Sequence, residues 1–268
     1  MKSDRAFTAV ALAGGRLEAD FRAAGYTVPN KAYLPVGGRT MLERVLRALR
    51  GSASIGSIRC VTRADDSKAG FLNIGAPLWD MRIEPGDDLM GSVLAGCAGL
   101  HADELVMVCA TDIPLLTPTA VDAFASRARH AGCDLGYGCV YRAAHELAYP
   151  QIRHTWVTLR DGSFCGAGVS VVRAGEVKKL AAVLREFTAA RKSPLRLASL
   201  FSPWLALRLL LGSVSIAELE LRATSISGIE CRAIPCHEPE LAVNVDRIGD
   251  LRAVQALVDG MQPQPRRA

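Results

Sequence analysis

Residues 6–16 read AFTAVALAGGR, and the two halves of that stretch decide how the rest of the chain is read. Residues 6–12 form an unbroken run of apolar and β-branched residues, short enough for a strand and bounded by glycine, the pattern of a strand buried on both faces. Gly14 and Gly15 then let the backbone turn sharply and approach another group closely, because neither carries a Cβ. Amide N–H groups in such a turn can point at polyphosphate oxygens while Arg16 neutralises their charge. The same residues also satisfy a plain tight turn with a solvated Arg, and on this stretch alone both readings stay open.

Outward from it, the first half of the chain alternates short β-rich runs with helical patterns, as in βαβ units around a parallel sheet. Thr40-Met41-Leu42-Glu43 reads as a capping box opening a helix through Arg50, with Leu42, Val45, Leu46 and Leu49 on one face. Residues 58–62 and 81–84 read as strands, 90–100 as a helix, and 104–110 as the most apolar, central strand. Thr117-Pro118 supplies an N-cap followed by proline at the first helical position, for a helix ending near Gly132. Then the rhythm changes. Residues 134–142, 154–160 and 166–173 read as strands with no helix between them, the last two joined at Asp161-Gly162. Stretches 176–190, 195–211 and 216–223 read as a helical insertion spanning 175–225, its last member opened by the Ser215-x-x-Glu218 capping box. Residues 229–234 and 241–245 return to strand, and a helix runs from Ile248 to about Asp259. Residues 1–260 thus read as a single domain, with 261–268 a flexible tail.

Composition narrows the class. A chain of 268 residues can bury a sizeable core, and 50% hydrophobic with 22% charged residues, 24 Gly and 13 Pro excludes collagen-like, low-complexity and disordered types. The net charge of +5 favours anionic ligands, but scattered Lys and Arg and only 6% aromatic residues do not build a nucleic-acid surface. The eight cysteines form no CxxC pair and mostly lie in apolar runs, as reduced core thiols of a cytoplasmic protein do. His154, Cys165, Cys236 and His237 are not spaced as a zinc site. The apolar residues 6–13 are too short for a signal peptide, and the region 195–216 is interrupted by Arg196, Pro203 and Arg208, below the ~20 residues a spanning helix needs. No transmembrane segment is expected.

Three blocks remain as candidate carriers of chemistry, since GxxxxGK[ST], GxGxxG, GxSxG and HExxH are all absent. The first is Leu12-Ala13-Gly14-Gly15-Arg16 together with Lys31 in the following loop. The second is Asp112 in 110–118, just past the carboxyl end of the central strand, where ligands bind in open α/β sheets and where a carboxylate suits Mg²⁺. An Asx-type turn before a helix is the simpler use of that residue. The third is Asn244-Val245-Asp246, where period-2 alternation puts Asn244 and Asp246 on one side of a strand end, although Asp246 could equally cap the final helix.

In this order and spacing, residues 11–15, 30–42 (NKAYLPVGGRTML), 112–118 and 244–251 (NVDRIGDL) resemble the GT-A-like nucleotidyltransferases, in particular the molybdenum-cofactor guanylyltransferase-like NTP transferase family. The resemblance implies an α/β, Rossmann-like GT-A nucleotidyltransferase fold with a mostly parallel mixed sheet and a helical insertion. It implies transfer of an NMP from an NTP to a phosphorylated small-molecule acceptor, with release of pyrophosphate. Leu12, Ala13, Gly14, Gly15, Arg16 and Lys31 would hold the nucleotide, with Gly91 and Ser92 added because 88–96 resembles the family's base-side loop and helix; small residues packing a helix on the sheet explain that segment as well. Lys31 and Asp112 would be catalytic, and Mg²⁺ would sit on Asp112, Asp246 and Asn244. The chain departs from the family in residues 17–28, which are longer than usual and lack an Arg-Met-Gly segment, so that Arg16 or Arg22 would supply the missing cation. A non-catalytic nucleotide-binding protein and a GT-A-like glycosyltransferase, the latter without its usual Asp-x-Asp, are the alternatives. The apolar stretch 195–211 suggests a homodimer or peripheral contact.

Overall fold

The computed structural model describes residues 6–68, 77–190 and 208–261. At its centre is β1 (Phe7–Leu12), parallel to β4 (Ile55–Val61) on one side and to β6 (Leu105–Ala110) on the other. Side chains alternate along β1: Ala9 and Ala11 join one apolar cluster while Val10 joins another on the opposite face. Both faces are therefore buried, which explains why the strand reads as a continuous apolar run.

Helices α2 (Met41–Gly51) and α5 (Pro118–Ala131) cover the first face, burying Leu42, Val45, Leu46, Leu49, Val121 and Phe124 against Ala9, Ile58 and Met107. Helices α4 (Leu89–Cys97) and α7 (Val177–Ala190) cover the second, with Val93, Cys97 and Val177 against Val10, Val61 and Val106. Each fully buried Leu or Val side chain here contributes about 1.5–3 kcal/mol relative to exposure. The eight-stranded sheet has the order β10-β7-β9-β6-β1-β4-β5, with β8 (Val157–Leu159) paired to β9 (Gly162–Arg173), β5 (Met81–Ile83) at one edge and β10 (Cys231–Cys236) at the other. Strand β9 runs antiparallel to both β6 and β7 (Leu135–Tyr141), so the sheet is mixed and mostly parallel. Helices α8 (Ile216–Ser227) and α9 (Ile248–Met261) lie near the end of the chain, and α8 opens with the reciprocal Ser215–Glu218 capping box that its sequence predicts.

Several local readings need correction. Residues 17–28 contain a short helix, α1 (Ala19–Ala23), because Phe21 and Leu17 are drawn into a cluster with Leu34, Met41 and Leu251. A helix, α6 (Arg142–Ala148), separates β7 from β8, where no helix was expected. Its signal is weak, since His145 is its one buried residue. Residues 241–245 are not a strand: a 3₁₀ turn (Pro239–Ala242) leads into a segment whose Val245 N–H donates to the Asp112 carbonyl at 2.9 Å instead of joining a ladder. At α2 only half of the expected capping box forms. Thr40 Oγ1 accepts from the Glu43 N–H at 3.1 Å, but the Glu43 carboxylate turns to Arg47 at 2.9 Å and Arg39 at 3.4 Å. A further α3 (Ala64–Lys68) follows β4. The stretch 195–211 lies outside the described residues apart from its last four, and of the expected tail 261–268 only Met261 is described, as the last residue of α9.

Candidate functional site

The carboxyl ends of β1, β4 and β6 open into a cleft of about 600 Å³ lined by both polar and apolar atoms. Leu12, Ala13, Gly14, Gly15 and Arg16 form one wall of it, and Lys31, Thr111 and Asp112 face them. Backbone and side-chain bonds tie these pieces together. The Ala13 N–H donates to the Val61 carbonyl at 2.8 Å, and Thr111 Oγ1 donates to the Leu12 carbonyl at 2.7 Å, so the glycine loop is stitched to both neighbouring strands.

The two glycines differ. A Cβ on Gly14 would stand 2.5 Å from Pro85 Cβ, whereas one on Gly15 would meet nothing within 4 Å. Gly14 is therefore needed for close packing, and Gly15 exposes bare backbone to the cleft. The other pair, Gly37 and Gly38, has φ of 54° and 75° and makes the turn of a two-stranded hairpin, β2 (Pro35–Val36) and β3 (Arg39–Thr40), as positive φ at both central residues requires.

Lys31 is placed by Asn30, a fully buried side chain that caps the 3₁₀ turn Lys31–Tyr33. Asn30 Oδ1 accepts from the Ala32 N–H at 2.9 Å, while its Nδ2 donates to the Ala13 carbonyl at 3.0 Å and to Asp66 at 3.1 Å. One amide thus registers the lysine turn against the glycine loop. From there the Lys31 ammonium reaches Asp112 Oδ2 at 2.7 Å and Asp246 Oδ1 at 2.9 Å, with Glu18 at 3.7 Å. Burial acts to lower the lysine pKa, but the Asp112 and Asp246 carboxylates outweigh it and hold the amine well above its ordinary value.

Three of the expected site residues, Lys31, Asp112 and Asp246, are therefore brought into contact across a separation of 215 positions in the chain. The fourth, Asn244, points its amide nitrogen at Asp112 Oδ1 at 3.4 Å. Asp246 does not cap the last helix. Asp250 accepts from the backbone N–H groups of Asp246 and Arg247, and Asp20 from that of Ile248, which leaves the Asp246 carboxylate to Lys31. Asn244 and Asp246 sit beside the cleft rather than in its lining.

Ser92 lines the cleft, but Gly91 does not; it packs against Gly86, where a Cβ would come within 2.4 Å of the Gly91 carbonyl carbon. Arg63, Glu18 and the loop 84–87 also line the cleft and were not singled out from the sequence, while Asn30 and Asp88, which line it too, lie in stretches that carry the resemblance. Arg63 lies two residues past the end of β4, and the rule that ligands gather at the carboxyl ends of parallel strands would have found it. Arg16 lines the cleft and Arg22 does not.

The donor set around Asp112 and Asp246 consists of hard oxygens, which suits Mg²⁺. Among the described residues no group of three or more His, Cys, Asp or Glu side chains could hold a metal by itself. The arrangement fits an ion held by one or two carboxylates and completed by substrate phosphates, which is how Mg²⁺ is commonly bound. His154 has a structural partner instead: its Nε2 lies 3.0 Å from Nε2 of buried His145, with Trp156 edge-on to both rings. All eight cysteines are free and buried. A second cavity, of about 360 Å³, lies between β7, β9 and α8 and is almost wholly apolar, which disqualifies it as a phosphate site. Among the described residues no helix is long and apolar enough to cross a membrane.

Comparison with known proteins places the fold in a family. The family model described as the MobA-like NTP transferase domain matches residues 9–193. A hypothetical transferase from Thermus thermophilus is 33% identical, over 92% of this chain and 99% of its own, with a TM-score of 0.78. More distant likenesses, which show the fold alone, include a CMP:2-keto-3-deoxy-manno-octonic acid synthetase complexed with CTP (14% identity, 96% of this chain and 100% of that one, TM-score 0.58). Another is a nucleotidyl transferase from Methanothermobacter thermautotroptrophicus (18% identity, 96% and 99%, TM-score 0.56). None of the curated proteins compared matches the chain significantly. The matching family model covers more than half of the chain, and with the 33% identity to the Thermus thermophilus protein it shows that the chain belongs to the MobA-like NTP transferases and is a nucleotidyltransferase.

Proposed function

We propose that this enzyme transfers an NMP from an NTP to a phosphorylated small-molecule acceptor in a Mg²⁺-dependent reaction that releases pyrophosphate. The observation that carries the proposal is the meeting of Lys31, Asp112 and Asp246 at the mouth of a cleft walled by residues 12–16. In this reading an ionised acceptor oxygen attacks the α-phosphorus, a new P–O bond forms, and the bond to the β-phosphate breaks with its electron pair leaving on pyrophosphate. No protein nucleophile is needed. Backbone N–H groups at Gly14 and Gly15 receive the triphosphate oxygens, and Arg16, Arg63 and Lys31 stabilise the charge that grows on the leaving group, the electrostatic contribution that is usually largest. Asp112 and Asp246, with Asn244 orienting Asp112, would hold Mg²⁺, whose chemistry there is Lewis-acid polarisation of the α-phosphate.

The eight unpaired buried thiols support a reducing, cytoplasmic setting. The test is a thermal-shift panel of the four NTPs with and without Mg²⁺, followed by pyrophosphate release with phosphorylated acceptors. Binding to the folded state raises the melting temperature by mass action. A shift with one NTP that needs Mg²⁺ is expected, and no shift with any of the four overturns the proposal.

A further inference from the structure

Lys31 cannot do two things at once. Its ammonium sits 2.7 Å from Asp112 Oδ2 and 2.9 Å from Asp246 Oδ1, on the two carboxylates that would hold a divalent cation. It also has to reach a triphosphate if it is to neutralise the leaving group. The Lys31 and Asp112 side chains are less than one-fifth exposed, so their attraction is only weakly screened by solvent and salt. Among the described residues, an ammonium moved off these carboxylates without a new anion would keep only Glu18, at 3.7 Å and half-exposed.

From this geometry we infer that Lys31 is the resident counter-cation of the Asp112–Asp246 pair, and that it gives up that place only when a triphosphate offers it other oxygens. Divalent cation and nucleotide then bind with positive coupling, and the nucleotide-free enzyme binds the cation weakly. The coupling is reciprocal, since each ligand raises the affinity of the other by the same factor. The inference rests on the proposed function for the use of the cation but concerns the chain's own lysine.

The experiment titrates nucleotide-free protein with Mn²⁺, followed by electron paramagnetic resonance and by the change in melting temperature. Lys31→Met removes the charge while keeping an apolar stem, and Lys31→Arg retains a cation. Lys31→Met is expected to bind Mn²⁺ at least tenfold more tightly than the wild type and to gain more in melting temperature from added Mn²⁺. Lys31→Arg should stay as weak as the wild type, and adding Asp112→Asn to Lys31→Met should abolish the gain. Equal Mn²⁺ affinity in Lys31→Met and wild type, with NTP still raising the wild-type melting temperature, overturns the inference and leaves the proposed function standing. If no NTP shifts the wild type but Lys31→Met binds Mn²⁺ more tightly, the function fails and the counter-cation role survives.

Discussion

Replacing Gly14 and Gly15 singly by alanine separates packing from binding in the glycine loop. At Gly14 the new methyl would stand 2.5 Å from Pro85 Cβ and 3.1 Å from Pro85 Cγ. Carbon atoms in favourable contact are about 3.5–4.0 Å apart, so one of the two loops has to move by roughly 1 Å. The obstacle is a proline ring, which cannot rotate away as a flexible side-chain end can. Overpacking of this kind costs about 1–3 kcal/mol. For a chain of this size each kcal/mol corresponds to roughly 2–4 °C in Tm. At Gly15 the methyl meets nothing within 4 Å and no positive φ is imposed, so the substitution restricts the unfolded chain and adds about 0.4–1 kcal/mol of stability. In the cleft, however, that methyl occupies the space through which the amides would approach phosphate oxygens. Urea unfolding should therefore rank Gly14→Ala below the wild type and Gly15→Ala level with or above it, while Gly15→Ala loses the NTP-induced rise in melting temperature. A Gly14→Ala protein within about 0.5 kcal/mol of wild type would remove the packing role of Gly14, and a Gly15→Ala protein that binds nucleotide normally would remove the binding role of Gly15.

Asp112→Asn should preserve the fold and remove Mg²⁺-dependent pyrophosphate release; near-normal turnover would remove Asp112 from the proposed chemistry. Asp246→Asn should lower turnover and Asp246→Ala lower it further, because Asp250 and Asp20, not Asp246, satisfy the start of α9; loss of stability alone in either would point to a structural role. Asn30→Ala removes three hydrogen bonds of a buried amide and should cost about 1–3 kcal/mol by chemical denaturation, with a weaker response to nucleotide as Lys31 loses its register; unchanged stability would contradict the role given to Asn30. Burial lowers the His145 pKa to about 4 from an ordinary value near 6.5, with the neighbouring His154 adding to the shift. The unfolded chain then binds the extra proton, so stability is intact above about pH 6.5 and falls toward pH 4, by about 2 kcal/mol between pH 8 and pH 5. Denaturation of wild type and His145→Asn across that range should show a smaller loss in the variant, which keeps His154, itself lowered by burial; parallel curves would exclude His145 as a source of the loss.

Elements whose signals are local were legible in the amino-acid order alone. The β1 run, the Thr117-Pro118 start of α5 and the Ser215–Glu218 box each specify their structure through a few neighbouring residues, and each is found as read. The resemblance to the family was legible for the same reason, since its motifs are short loops that follow strands. Other features waited for the tertiary structure. Helix α1 forms around Phe21 only because distant Leu34 and Leu251 receive that side chain, and residues 243–245 leave the sheet because Val245 finds the Asp112 carbonyl. Whether Asp246 capped a helix or faced the site was undecidable locally, because either use needs the same carboxylate at the same position. The fold decided it by bringing Asp250 and Asp20 to the helix start and Lys31, from the other end of the chain, to Asp246. Charge pairs of this kind depend on distances between segments far apart in sequence, and those distances exist only once the sheet has closed its βαβ crossovers and placed the strand ends side by side.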